Sequence, residues 1–102
     1  RMTGEYFIDS LAQRKWVLRE SGSGTREVFL DYIKEKTEPL NIFLELGHTE
    51  SIKSILANHN CLTCISRIAV QDELDKGKLH QVNIKNFDCR RDFLLVYHKD
   101  KY

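Results

Sequence analysis

The apolar positions of this chain switch between contiguous runs and helical spacing. Phe7, Ile8 and Leu11 predict a short lead-in helix over 7–13 with those three side chains inward. Trp16-Val17-Leu18 is a contiguous apolar run, the mark of a buried strand. Val28, Phe29, Tyr32 and Ile33 then lie on one face of a helix, which Lys34, Lys36 and the Glu38-Pro39 step bring to an end. Asn41 to Leu46 reads as a second strand halted by Gly47, and Ile52, Ile55 and Leu56 give a second amphipathic helix from Thr49. Cys61 to Ile65 is a third strand. Arg67 to Lys76, carrying Ile68, Val70 and Leu74, is a third helix, with Gly77 placed to take a left-handed C-terminal cap. Lys78 to Ile84 and Asp92 to Tyr97 complete the order as two further strands. Alternation of strand and helix predicts an α/β fold, a mostly parallel sheet flanked by helices.

In such sheets ligands sit beyond the carboxyl ends of the strands, against helix N-termini. Two segments fall there. The first is Ser21-Gly22-Ser23-Gly24-Thr25, two glycines and three hydroxyls between the first strand and the next helix. Its plain reading is a turn whose hydroxyls cap that helix, with Glu27 in the first turn favouring the positive dipole end. Its functional reading is a cradle in which the N–H groups of residues 23–26 and the Ser23 and Thr25 hydroxyls take a carboxylate or similar polar group. No lysine follows the second glycine in the manner of a nucleotide-binding loop, so that class is excluded. The second segment is Gly47-His48-Thr49. Thr49 reads as an N-cap and His48 as a solvated loop residue; turned toward a cleft, His48 could pair with an anionic effector and make affinity pH-dependent. Ser66, after the third strand, is a lesser candidate on the same rim.

Composition narrows the classes. With 16 basic and 15 acidic residues in 102, the chain lacks the clustered positive charge that nucleic-acid binding rewards. It has no apolar run of membrane-spanning length and no signal-peptide pattern at its start, so a cytoplasmic location and no membrane contact are expected. No Ser/His/Asp set or paired-carboxylate spacing stands out, which favours binding over catalysis; no catalytic residue and no cofactor are assigned. Arg90-Arg91, Lys99 and Lys101 read as solvated ends of the last strand.

Cys61-Leu62-Thr63-Cys64 has the spacing of a redox pair or of half a zinc site. Zinc would need Cys89, His59 and His80 to converge, and no second Cys-x-x-Cys exists, so no metal is assigned. A redox pair sits normally at a helix N-terminus. Here the pair lies in a strand run, where residues three apart face opposite ways, and buried structural cysteines are the better reading.

Arg19-Glu20-Ser21-Gly22-Ser23-Gly24-Thr25-Arg26-Glu27 resembles the "REPGSGTRE" segment of LysR-type transcriptional regulators, with Ser21 where the family has proline. Leu46-Gly47-His48-Thr49-Glu50-Ser51-Ile52-Lys53 is similar to the family's "LGSTEAIK", and Ile65-Ser66-Arg67-Ile68-Ala69-Val70 to its "LSRLAV". Gly77-Lys78-Leu79 and Arg91 to Lys99 resemble its "G-L…R-F-L-V-H-K" ending. Asn58-His59-Asn60-Cys61-Leu62 departs from "A-G-L-G-I": both glycines are replaced, while the Asn and His residues of the turn still tolerate the left-handed region. The resemblance implies half of a two-subdomain fold of the type 2 periplasmic-binding-protein kind. Residues 1–102 would be one effector-binding subdomain, with the 92–99 strand crossing back to the other. It implies a small polar or anionic effector bound between subdomains at Ser21–Thr25, Gly47–Thr49 and Ser66, and homo-oligomers. DNA would be contacted only through a helix-turn-helix domain that these residues do not contain. The alternatives are a solute-binding module unrelated to transcription, and a cysteine-based redox sensor.

Overall fold

The computed structural model describes residues 5–20, 24–85 and 93–98. Its elements in chain order are β1 (Glu5–Tyr6), α1 (Ile8–Leu11), β2 (Lys15–Arg19), α2 (Gly24–Ile33), β3 (Asn41–Leu46), α3 (Thr49–Asn58), β4 (Thr63–Ser66), α4 (Arg67–Asp75), β5 (Leu79–Gln81), β6 (Asn83–Ile84) and β7 (Phe93–His98). β2 pairs in parallel with β3, and a parallel bridge between Trp16 and Leu62 joins β2 to the start of β4. The bridge is closed by Val17 N–H donating to the Leu62 carbonyl and Leu62 N–H to the Lys15 carbonyl, both at 2.9 Å. β7 then lies between β4 and β5 and is antiparallel to both. The continuous surface runs β3-β2-β4-β7-β5.

The sheet is therefore mixed, which corrects the expectation of a mostly parallel one. β2, β3, β4 and β5 do run the same way, as their helical connections require. The exception is β7, which slots in antiparallel between β4 and β5 and needs no crossover helix to do so. Over residues 93–98, the strand expected to cross back to another subdomain is paired on both sides within this unit, between β4 and β5. The single strand expected over 78–84 is broken at Val82: β5 pairs with β7, whereas β6 pairs in parallel with β1, an element the sequence pattern did not announce.

Alternation along the strands divides the core into two layers. Trp16, Leu18, Leu62, Cys64, Phe93, Leu95 and Tyr97 face α1 and α2, meeting Leu11, Phe29 and Ile33. Val17, Cys61, Ile65, Leu94 and Val96 face α3 and α4, meeting Ile52, Leu56 and Val70. Thr63, a buried polar side chain, is satisfied because its hydroxyl donates to the Val17 carbonyl at 2.5 Å. The helix faces are narrower than expected. Val28 and Phe7 are exposed, the Phe7 ring lying under the Lys85 ammonium at 5.4 Å, and Ile68 is 91% exposed. Only residues spaced four apart on α2 and α3, Phe29/Ile33 and Ile52/Leu56, reach full burial.

α4 ends as its sequence predicts. Gly77 takes φ 73°. Its N–H donates to the Leu74 carbonyl at 3.1 Å, and that of Lys78 to the Glu73 carbonyl at 2.8 Å. This is the paired closure of a Schellman turn. A Cβ at Gly77 would meet nothing within 4 Å, so Gly77→Ala is resisted by the backbone alone. We expect it to cost about 1 kcal/mol, read from the denaturant midpoint at unchanged slope. At the end of α3, by contrast, His59 is extended (φ −141°, ψ 150°) and makes no use of the left-handed tolerance its residue type offers.

Candidate functional site

Because β2, β3 and β4 run parallel, their carboxyl ends share one end of the sheet, and each feeds a helix of nine or ten residues. α2 begins at Gly24, α3 at Thr49 and α4 at Arg67. Thr25, Gly47, His48, Thr49 and Ser66 are thereby brought to one rim. Gly24 opens α2 in open space, where a Cβ would meet nothing within 4 Å. Ser21, Gly22 and Ser23 lie outside the described residues.

His48, not Thr49, is the N-cap of α3, extended and exposed, and Thr49 is the first helical residue. Ser66 is both the last residue of β4 and the N-cap of α4. Neither His48 nor Ser66 bonds its own helix end through its side chain. Glu27 and Glu50 stand in the first turns of α2 and α3, while α4 carries no acid there.

Charged side chains that the motif analysis did not single out occupy the same rim. Glu20 N–H donates to the Leu46 carbonyl at 3.0 Å, extending the β2–β3 pairing past Arg19. Its carboxylate lies so close over Gly47 that a Cβ there would stand 2.9 Å from Glu20 Oε1. Arg26, in the first turn of α2, donates from Nη1 to the Arg19 carbonyl at 2.8 Å and forms an ion pair with Glu45 of β3. One guanidinium thus ties the end of β2, the end of β3 and the start of α2. In the sequence Arg19 and Arg26 bracket the glycine segment and Glu45 interrupts an apolar strand, but only the pairing of β2 with β3 brings Arg26 and Glu45 together.

Concavities elsewhere are of a different kind. A groove of about 290 Å³ between the end of α2 and β3 is mainly apolar, lined by residues such as Leu30, Ile33, Pro39 and Ile42. A second, of about 250 Å³, lies between α3 and α4. There Lys53 bridges Glu50 at 3.0 Å and Glu73 at 3.1 Å. Burial opposes the charge on Lys53, yet the two carboxylate hydrogen bonds outweigh it and raise its pKa; burial likewise opposes Glu73, whose pKa the Lys53 bond lowers. Neither concavity includes the rim residues.

Cys61 and Cys64 are both buried, on opposite faces of the sheet. Burial pushes the Cys61 thiol up to about 11, the Lys15 charge offsetting only part of the rise. This is the reverse of the shift that activates a redox cysteine. No group of three or more potential metal ligands converges among the described residues; Cys89 lies outside them. Against the ordinary value of 9.0, the shift lowers the thiolate population of Cys61 about a hundredfold below pH 9. Iodoacetamide labelling with peptide mapping at pH 8 should therefore modify Cys61 only at the rate of unfolding. The sign for stability follows: the raised pKa contributes fully below pH 9 and is lost as pH rises from 9.0 to about 11.

Residues 5–102 match the family described as LysR substrate binding domain. The chain belongs to that family. Similar curated proteins include the uncharacterized HTH-type transcriptional regulator YeiE of Escherichia coli K12, 33% identical over 100 residues, covering 97% of this chain and 34% of the relative. The RuBisCO operon transcriptional regulator of Allochromatium vinosum is 28% identical over 91 residues, 89% of this chain and 30% of the relative. The HTH-type transcriptional regulator CysL of Bacillus subtilis is 28% identical over 95 residues, 91% and 31% respectively. This LysR domain thus spans about a third of the length of the curated relatives it matches. No helix among its described residues is long and apolar enough to cross a membrane.

Proposed function

We propose that this LysR domain is the sensing half of a cytoplasmic transcriptional regulator, and that its rim of Ser21–Thr25, Gly47–Thr49 and Ser66 is one wall of an effector cleft. The observation that carries the reading is the convergence of three parallel strand ends, each opening a helix, at one end of the sheet in a chain of this family. N–H groups at helix starts favour a carboxylate or other small polar anion. The opposing wall would belong to a second subdomain, and DNA contact to a helix-turn-helix domain of the longer protein. An effector that binds the closed cleft better than the open one shifts the hinge, and through it the way an oligomer holds DNA.

Half a cleft binds weakly because the facing contacts are missing. Calorimetry with a panel of small carboxylates should therefore give much weaker binding to this chain than to the two-subdomain region. Equal affinity for both would sink the shared-cleft reading. Reading the polypeptide upstream separates the regulator from a solute-binding module: the first predicts a helix-turn-helix, the second a secretion signal. Self-association, measured by size exclusion at high concentration, would not use Phe93–His98 as an open edge, since that strand is paired on both sides.

A further inference from the structure

We propose that the outer edge of β3 is where a second copy of this chain docks, the two β3 strands lying antiparallel about a two-fold axis and joining two sheets into one. Among the described residues β3 is the longest open edge, six residues against three in β5 and two each in β1 and β6. Short edges offer another chain little to pair with; a six-residue edge offers a full strand. The side chains that commonly guard such an edge are missing. Asn41–Leu46 contains no lysine and no proline, and its one charge, Glu45, is engaged with Arg26. The shift of register at Phe43 does not close the edge, since Leu44, Glu45 and Leu46 pair again in step with β2.

What covers the edge must bury apolar groups on both faces of the sheet. Ile42, 37% exposed, lines the groove with Leu30 and Ile33 of α2, whereas Phe43, 38% exposed, lies 5.7 Å from the His59 ring at the end of α3. A small molecule in the groove would reach Ile42 alone. A strand with helices over both faces reaches the two together, and this chain supplies such a strand in β3 itself. Charge favours a second copy in the same way. Glu27, Leu30 and Lys34 are spaced three and four apart along α2 and its end, so they share the side that Leu30 and Lys34 turn toward the groove. Laid antiparallel across the axis, each Glu27 meets the Lys34 of the other copy, with Leu30 between. In the single chain Lys34 pairs with Asp31 at 2.9 Å, but both side chains are exposed and such a pair is worth little.

Sedimentation velocity of the 102-residue chain, from dilute to concentrated solution, tests the docking. We expect dimers that form with rising concentration, and slower amide exchange at Phe43 to Glu45 in the dimer. I42K places the missing guard on the edge and should leave monomers throughout. I68K, a lysine in place of a far more exposed apolar side chain on α4, should dimerise as the natural chain does. E27K and K34E should each weaken the dimer about tenfold, two like-charge contacts arising by symmetry, and the double reversal should restore it. A thermal melt checks that each variant folds. Monomers at every concentration would overturn the docking. So would an I42K chain that still dimerises, or a double reversal that recovers nothing. Monomers of this chain beside I42K-sensitive dimers of the two-subdomain region would overturn self-pairing and give the edge to the other subdomain. Any of these outcomes leaves the effector rim standing, since the rim lies at the strand ends and the docking edge along the side.

Discussion

Trp16→Ala should abolish cooperative folding near room temperature, or leave a domain with only a small residue of its stability. Trp16 is fully buried in β2, its ring 5.5 Å from that of Phe29, and its indole N–H donates to the Leu11 carbonyl at 2.9 Å. One side chain therefore joins the sheet to α2 and to the end of α1. Truncation removes the transfer free energy of an indole and leaves a cavity, together about 3–5 kcal/mol. Domains of this size hold about 5–15 kcal/mol in all. Trp16→Phe separates the contributions. It keeps most of the packing and removes one of the two donors to the Leu11 carbonyl, which keeps the Arg14 N–H at 3.1 Å; we expect this to cost about 0.5–1.5 kcal/mol. Urea unfolding followed by circular dichroism gives both values. An alanine variant within 1 kcal/mol of the natural chain would mean that this core is not built around Trp16.

Val96→Pro should be at least as damaging, for a reason of backbone rather than volume. Val96 pairs with Thr63 on one side and Gln81 on the other, in the strand that holds β4 and β5 together. Proline removes an N–H from the ladder and is tolerated in sheets at edges and bulges, not at the centre. We expect loss of the cooperative transition in urea, with apolar surface exposed to a dye such as ANS. An edge position supplies the control. Phe43 lies in β3, which among the described residues has a partner strand, β2, on one side only, and its side chain is exposed. Phe43→Ser should move the midpoint far less.

Strand and helix types were legible because their periods differ; partners and faces were not. Asn41–Leu46 is a strand as its apolar run predicts, yet it forms an exposed edge, because a run of apolar residues does not say how many neighbours it will have. Ile68 has helical spacing from nothing buried and points to solvent in the first turn of α4. The place of β7 was hidden for a further reason. Its residues read as a strand, but nothing local specifies insertion between two strands that are consecutive in the β-α-β pattern. At the rim, the helix starts after β2, β3 and β4 were readable from the sequence pattern. The Arg26–Glu45 pair was not, since it joins residues 19 apart and depends on β2 and β3 being neighbours.

The inserted position of β7 also sets a timetable. During synthesis, β2 through β5 emerge before Phe93–His98 exists, so β4 and β5 can have their helix between them and still lack the strand that joins them. Until then both present open edges of one orientation, and the inner faces of β4 and β5 lack Leu94 and Val96. Non-local pairing of this sort is slow relative to helix formation. The nascent chain is most exposed to misassociation in the interval before residue 98 clears the ribosome. A ribosome-bound chain released after residue 92 should be captured by chaperones, and one released after residue 102 should not.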